Sequence, residues 1–216
     1  MTGAISISPA PIPGVLLAGG KSWRMGGREK CLLELAGRPL LDHVIGRAQP
    51  QVDVLILNAP GDPARFASFG LEVAADVIDG FAGPLAGVLT GMEWARTNTP
   101  QARHIATFPC DAPFLPNDLV ARLREAAQSE NAAIALAASA GREHPAFALW
   151  PVEMMEDLRR ATTEEGLRRM GEWTARCKAA RVEYPCQPVD PFFNINSPQD
   201  LAEAERILSH SRPSLI

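Results

Sequence analysis

The segment "GVLLAGGKSWRMGGREK", residues 14–30, determines how the rest of the chain is interpreted. It begins with a short apolar run that is typical of a buried strand. The run leads into four glycines between positions 19 and 27 and four cations, Lys21, Arg24, Arg28 and Lys30. Glycines let a backbone approach a ligand closely, and clustered cations repel one another unless an anion lies between them. The segment therefore predicts a strand followed by a phosphate-binding loop.

Two common phosphate motifs do not describe this loop. The P-loop pattern GxxxxGK[ST] would use Gly20, Lys21 and Ser22, but its opening glycine would fall on Val15. The dinucleotide pattern GxGxxG is absent because Gly19 and Gly20 are adjacent. The simplest alternative is a glycine-rich turn whose basic side chains are solvated.

The composition is that of an ordinary globular protein. The chain has 216 residues, of which 46% are apolar and 21% are charged, and this length allows a core of normal size. The net charge of −4 gives no basic excess to neutralise nucleic acid, so we expect no nucleic-acid partner. No apolar run approaches the roughly 18 residues that span a bilayer. We therefore expect no membrane association, and we expect a monomer.

The cysteines and the N-terminal residues indicate a cytoplasmic protein. Four cysteines are scattered without CxxC spacing or neighbouring histidines, which argues against zinc and favours reduced thiols. The first residues, "MTGAISISPAPIPG", contain no Lys or Arg and three prolines, unlike a signal peptide. We expect a flexible tail over residues 1–12.

Short apolar runs alternate with amphipathic segments in the first part of the chain. Strands are predicted in "GVLLA", "VDVLILN", "LEVAADV" and "RHIATFPCD". Helices are predicted after Pro39, in "GPLAGVLTGMEWART" and in "LPNDLVARLREAAQ". This alternation predicts an α/β protein with a mostly parallel sheet and helices on both faces.

The later part is less regular. "AAIALAASA" and "HPAFALW" are predicted as a strand pair, and "AARVEYP" and "FFNIN" as strands. A helix is predicted in "TTEEGLRRMGEWTARC" from a Thr162/Glu165 capping signal, and another in "SPQDLAEAERILS" with Ser197 and Asp200 as its capping box. No repeat or long linker interrupts the chain, so we expect one domain over residues 13–210.

Polar groups follow several of the predicted strands at their carboxyl ends. They are the loop at positions 19–27, Asn58, Asp76 and Asp111. In open parallel sheets, ligands bind outside the carboxyl ends of the strands. We therefore expect these groups to face one crevice.

The loop "LAGGKSWRMGGREK" resembles the signature loop of the molybdenum cofactor guanylyltransferases, whose usual form is LAGGxSxRMGxxDK. The similarity continues in family order through "LLELAGRPLLDHV", "LILN", "GPLAG", "FPCDAPFLP", "HPAFAL" and "FFNINSPQDL", over residues 14–208. It implies a Rossmann-like three-layer nucleotidyltransferase fold, with a nucleotide-binding part over residues 13–130 and an acceptor-binding part over residues 131–210. The chain departs from the pattern at Trp23 and at Glu29, where the usual residue is Asp.

The resemblance implies transfer of GMP from GTP to the molybdenum–molybdopterin cofactor, which forms molybdopterin guanine dinucleotide and releases pyrophosphate. Mg²⁺ is the implied cofactor. Cofactor-insertion chaperones and recipient molybdoenzymes are the implied protein partners. Three alternatives stay open: a cytidylyltransferase using CTP, whose loop reads LAAG; a sugar-phosphate nucleotidyltransferase, whose loop continues towards Leu-Pro; and a regulator that binds nucleotide without catalysis.

The resemblance also implies which residues bind the nucleotide. Leu17, Ala18 and Gly19 would contact it through their backbone, and Asn58 and Asp76 would hold the nucleoside. The last two also have a purely structural interpretation as turn residues at strand ends.

The implied catalytic residues are Arg24, Lys30 and Asp111. Arg24 and Lys30 would meet the triphosphate, where positive charge stabilises the transferring group. Asp111 would bind both the nucleotide and Mg²⁺, a cation that prefers one or two carboxylates plus phosphates. Asn194 and Asn196 would lie on the metal or phosphate side, or would satisfy backbone groups before the last helix. The expected acceptor-binding residues, which could equally be solvated surface, are Arg142, Arg168 and Arg169.

Overall fold

The computed structural model describes residues 10–18, 29–78, 80 and 83–211. Gly19 and Arg24, two of the predicted site residues, lie outside this part of the chain, as do residues 1–9 of the predicted tail.

Seven strands form the main sheet. They are β1 (Pro13–Leu17), β4 (Val54–Asn58), β5 (Glu72–Ala74), β6 (His104–Pro109), β7 (Ile134–Ser139), β8 (Arg142–Pro151) and β9 (Ala179–Tyr184). Their spatial order is β5-β4-β1-β6-β8-β7-β9. The short strands β2 (Glu34–Leu35) and β3 (Arg38–Pro39) pair separately as a hairpin.

The strand directions confirm a mostly parallel sheet. β1 pairs in parallel with β4 and β6, β4 with β5, and β7 with β9. Only β8 runs the other way among these pairings, antiparallel to both β6 and β7. From β1 the chain first adds strands on one side, and then crosses to β6 on the other. This reversal creates a crevice at the carboxyl ends of β1 and β6.

Helices cover both faces of the sheet, as predicted. They are α1 (Leu40–Ala48), α2 (Pro84–Asn98), α3 (Leu119–Ser129), α4 (Met155–Thr163), α5 (Met170–Thr174) and α6 (Pro198–Ser211). Alternate strand residues point to opposite faces. Leu16 and Phe108 pack in one core with α1 and α3, whereas Val15 and Ile105 pack in another with α2 and α4. None of the described helices is both long enough and apolar enough to cross a membrane.

Two predictions for the C-terminal part are wrong. The helix predicted over residues 162–177 is confined to α5, because α4 ends at Thr163 and Gly166 adopts a left-handed φ of 69° before α5 begins. The Thr162 hydroxyl donates back to the Arg159 carbonyl, at 2.8 Å, and so does not cap a helix. The "FFNIN" segment forms no strand. Phe192 and Ile195 are its buried residues, and their spacing of three does not fit a two-residue strand repeat.

Helix α2 packs closely against the sheet because it has glycine at the points of contact. A Cβ at Gly91 would lie 2.5 Å from Val15 Cγ2 and 3.0 Å from Ile105 Cδ1. A Cβ at Gly87 would lie 2.4 Å from Asn58 Oδ1. The two glycines therefore let the helix backbone pack directly against the sheet next to the crevice.

Replacing Gly91 with alanine should destabilise the fold. Overpacking a buried contact costs about 1–3 kcal/mol, which outweighs the gain of about 0.5–1 kcal/mol that alanine brings to a helix. Gly46 lies on the exposed side of α1, where an added Cβ would meet nothing within 4 Å, so Gly46→Ala should stabilise the protein. Urea unfolding of both variants measures the two opposite signs. Equal stability of Gly91→Ala and wild type would show that α2 can move away freely.

Candidate active site

A cavity opens at the crevice formed by β1 and β6. Its walls come from the ends of both strands, from the residues that follow the glycine-rich loop, and from the loop after β4. The lining residues are Leu17, Ala18, Glu29, Lys30, Cys31, Pro60, Pro84, Pro109, Cys110, Asp111 and Ala146. Four of the predicted site residues, Leu17, Ala18, Lys30 and Asp111, are among them.

Lys30 connects three distant segments inside this cavity. Its Nζ lies 2.7 Å from Asp111 Oδ2 and 2.6 Å from Asn196 Oδ1. The backbone N–H of Ile195 donates to the Asp111 carbonyl at 2.9 Å, so the segment before α6 is fixed to the segment after β6. The ion pair is partly shielded, since both side chains are 22% exposed. A charged pair at the mouth of a crevice is suited to a charged, phosphate-bearing ligand.

Asn58 and Asp76 lie together at the neighbouring strand ends. Asn58 Nδ2 donates to Asp76 Oδ1 at 2.9 Å and to the Ala74 carbonyl at 3.2 Å. The Asn58 carbonyl accepts from Ala18 N at 2.9 Å, which links the pair to the cavity wall. Neither side chain lines the cavity itself. Their contact with the nucleoside therefore stays a prediction.

The thiols in the cavity wall are poor nucleophiles. Burial and, next, the Glu29 carboxylate raise the pKa of Cys31 to about 11, while the Arg65 guanidinium acts in the opposite direction. Burial also raises the pKa of the Cys110 thiol. Both groups are protonated at neutral pH, and all four cysteines are free. The two thiols are therefore apolar lining, with no thiolate for covalent catalysis.

Comparison with known proteins identifies the family. Residues 14–179 match the family model of the MobA-like NTP transferase domain. A molybdenum cofactor guanylyltransferase of Rhodopseudomonas palustris (strain BisB5) is 57% identical over 195 residues, which cover 90% of this chain and 93% of that protein. Another, of Bradyrhizobium sp. (strain ORS 278), is 52% identical over 202 residues, covering 94% and 95%. This chain belongs to the molybdenum cofactor guanylyltransferase family.

Membership of the guanylyltransferase family confirms the resemblance inferred from the loop, and the chain is a nucleotidyltransferase. The fold is confirmed as well. The crystal structure of molybdopterin-guanine dinucleotide biosynthesis protein A from Archaeoglobus fulgidus superimposes with a TM-score of 0.70 at 22% identity, covering 92% of this chain and 100% of that one. At that identity the likeness shows the three-layer fold alone.

A divalent cation fits the side chains near Asp111. No three His, Cys, Asp or Glu residues of the described part of the chain group into a metal site, so a ligand-rich structural site is not formed there. Asp111 offers a carboxylate. The Asn194 side chain has a buried Oδ1 with no hydrogen-bond partner among the described residues, one position from the Ile195–Asp111 contact. One carboxylate, one amide oxygen and substrate phosphates form the kind of oxygen set that Mg²⁺ prefers.

The predicted acceptor arginines lie outside the cavity lining. Arg168 is exposed, and its Nη1 donates to the Thr162 carbonyl at 3.0 Å. Arg169 pairs with Glu172 at 3.3 Å. Arg142 is exposed at the start of β8, at the same end of the sheet as the carboxyl ends of β1 and β6. Their acceptor role stays a prediction.

The guanylyltransferase chain also holds a buried polar network that sequence reasoning missed. Ser139 Oγ donates to Asp190 Oδ1 at 3.0 Å, so with one hydroxyl hydrogen it accepts from His144 Nε2 at 2.7 Å. Asp190 also accepts from Phe192 N at 3.0 Å, and the His144 and Phe192 rings lie 4.8 Å apart. The network fixes the segment that supplies Asn196. "HPAFAL" is part of the family resemblance, but it predicted no role for its histidine.

Burial makes the fold sensitive to mild acid. It lowers the pKa of His144 below the usual 6.5, with Asp190 and Glu183 opposing the shift and Arg142 adding to it. Burial also lowers the pKa of His104. Below 6.5 the unfolded chain therefore binds more protons than the folded protein, so stability is full above that pH and falls as pH decreases through it.

His144→Gln should reduce this acid sensitivity. Glutamine can still donate to Ser139 but takes up no proton, so the loss of unfolding free energy between about pH 7.5 and about pH 5.5 should be smaller than in wild type. A double variant with His104→Gln should show a smaller loss still. Urea titrations at the two pH values provide the measurement. The same loss in wild type and His144→Gln would show that His144 does not contribute.

Proposed function

We propose that this protein transfers GMP from GTP to the terminal phosphate of the molybdenum–molybdopterin cofactor, with release of pyrophosphate. The single observation behind the proposal is the Lys30–Asp111 pair in a cavity at the carboxyl ends of β1 and β6. The names of its relatives support guanylyl transfer and molybdenum cofactor as the acceptor.

The chain's own residues would bind and align the nucleotide. Leu17 ends β1, Ala18 follows it, and both line the cavity, next in the sequence to the predicted contact at Gly19. Asn58 and Asp76 would hold the nucleoside beside them. Lys30, together with Arg24, would place positive charge against the β- and γ-phosphates, which carry the growing negative charge of the leaving pyrophosphate.

The proposed cofactor is Mg²⁺, held by Asp111 with Asn194 and Asn196 on the same side. When bound, the ion neutralises phosphate charge and keeps the reacting groups in line. Asp111 is free to serve as a ligand once the Lys30 ammonium turns from its carboxylate towards the triphosphate. Asn196, which also contacts Lys30, would guide that movement.

The reaction needs no covalent protein intermediate. An oxygen of the acceptor phosphate attacks the α-phosphorus of GTP, a new P–O bond forms, and the bond from the α-phosphorus to the bridging oxygen of pyrophosphate breaks. We assign the nucleotide to residues 13–130 and the acceptor to residues 131–210. In this assignment Arg142 and Arg168 meet the acceptor, in a cytoplasmic monomer that passes its product to molybdoenzymes or their chaperones.

Donor choice tests the proposal directly. Purified enzyme with Mg²⁺ and molybdenum cofactor should release pyrophosphate with GTP at least tenfold faster than with CTP, ATP or UTP, the scale that pocket discrimination between similar ligands commonly reaches. A preference for CTP would assign the chain to cytidylyl transfer. Turnover with a sugar phosphate in place of the cofactor would assign it to the sugar-phosphate enzymes, and nucleotide binding without turnover would make it a regulator.

Asp111→Asn should remove most of the activity and leave the fold intact. Loss of the carboxylate should slow transfer roughly a thousandfold, equivalent to about 4 kcal/mol of transition-state stabilisation. The comparison uses kcat with GTP for wild type and variant, with urea unfolding as the check on folding. Wild-type turnover in this variant would end the assignment of Asp111 as the metal ligand.

A further inference from the structure

Arg65 joins two walls of the nucleotide cavity. It lies in the 3-10 helix Pro63–Phe69, which follows β4. Its Nη1 pairs with the Glu29 carboxylate, its Nη2 donates to the Pro60 carbonyl, and its Nε donates to the Asp62 carbonyl at 2.9 Å. Glu29 and Pro60 both line the cavity. One guanidinium nitrogen therefore bonds to the end of the glycine-rich loop, and the other two anchor Arg65 within the loop after β4.

The position of Glu29 makes this pairing matter for an anionic ligand. Glu29 immediately precedes Lys30, and its side chain is only 31% exposed. Its buried Oε2 has no hydrogen-bond partner within the described part of the chain. A carboxylate in the cavity wall repels phosphates, and this repulsion grows as water is excluded. The Glu29 carboxylate raises and the Arg65 guanidinium lowers the pKa of the neighbouring Cys31 thiol, which also lines the cavity.

We propose that Arg65 is a positioning residue for nucleotide binding: it neutralises Glu29 and holds that carboxylate away from the triphosphate. The inference rests on the proposed function, because it takes the cavity to be the triphosphate site. Arg65 lies outside the signature loop, 36 positions from Glu29, and the net charge at the end of that loop depends on this pairing.

A charge-rescue experiment separates this role from simple support of the loop. Arg65→Gln should weaken GTP binding about tenfold, since it leaves the carboxylate unpaired, and should raise KM more than it lowers kcat. The loss should shrink at high salt, which screens partly exposed charges. Adding Glu29→Gln should restore binding to within about threefold of wild type. Arg65→Lys keeps the charge and should lose less than Arg65→Gln.

Glu29→Gln alone gives a second test that does not depend on the folding of an Arg65 variant. With the carboxylate removed and Arg65 intact, GTP should bind about threefold more tightly. The matched control is the exposed pair Arg96–Glu156, 3.1 Å apart between α2 and α4 and away from the cavity. Arg96→Gln and Arg96→Gln/Glu156→Gln should bind GTP as wild type does.

Three outcomes would overturn the proposal. They are wild-type binding in Arg65→Gln, a binding loss in Arg65→Gln that Glu29→Gln fails to rescue, and weakened binding in Glu29→Gln alone.

Binding is measured by equilibrium titration with each of the four nucleoside triphosphates, and urea unfolding checks the folding of every variant. A wild-type protein that binds another nucleotide and transfers no GMP would refute the proposed function. In that case the rescue of Arg65→Gln by Glu29→Gln, measured with the nucleotide that the protein does bind, would still decide the role of Arg65.

Discussion

Strand β1 hydrogen-bonds along both edges, to β4 on one side and to β6 on the other. Its carboxyl end is therefore flanked on both sides, by the carboxyl ends of β4 and β6, which run parallel to it. The exit of β6 is held next to it, since Cys110 N donates to the Leu17 carbonyl at 3.3 Å. The polar residues of both exits therefore meet at one place, whatever their distance in the sequence.

The contacts around Lys30 turn that meeting point into a defined geometry. Its ammonium contacts Asp111, from the exit of β6, and Asn196, from just before α6. The Asn196 segment is held in turn by Ser139 and Asp190 and by the start of α6, where Asp200 accepts from Asn196 N at 2.8 Å. A change at any of these supports would move a group in the cavity although the changed residue lies outside it. The position of the Lys30 ammonium therefore depends on how the C-terminal part of the chain packs.

The sequence predicted what depends on local pattern. Apolar runs and small residues located β1 and α2, and the strand-end argument placed Asp111 at the crevice. Prediction from the sequence failed where a single residue or a tertiary contact overrides the local pattern. Gly166 interrupts a segment whose apolar spacing otherwise suits a helix. Arg65 meets Glu29 only through folding, and no periodicity marks a pairing over that separation. The two cysteines of the cavity wall are evident in the sequence, but the protonation state of their thiols depends on burial, which only the folded structure gives.

The absence of side chains at two positions of α2 has a consequence for how this enzyme can vary. Gly87 touches the Asn58 side chain and the Leu17 Cδ2 methyl, the latter only 2.7 Å from where a Cβ would stand. Leu17 is itself a wall of the cavity. Bulk added inside the helix would therefore be transmitted through Leu17 as a change in the shape of the cavity. In a library of random variants, substitutions at residue 87 would change the cavity indirectly, because its own atoms lie one layer beneath the cavity surface.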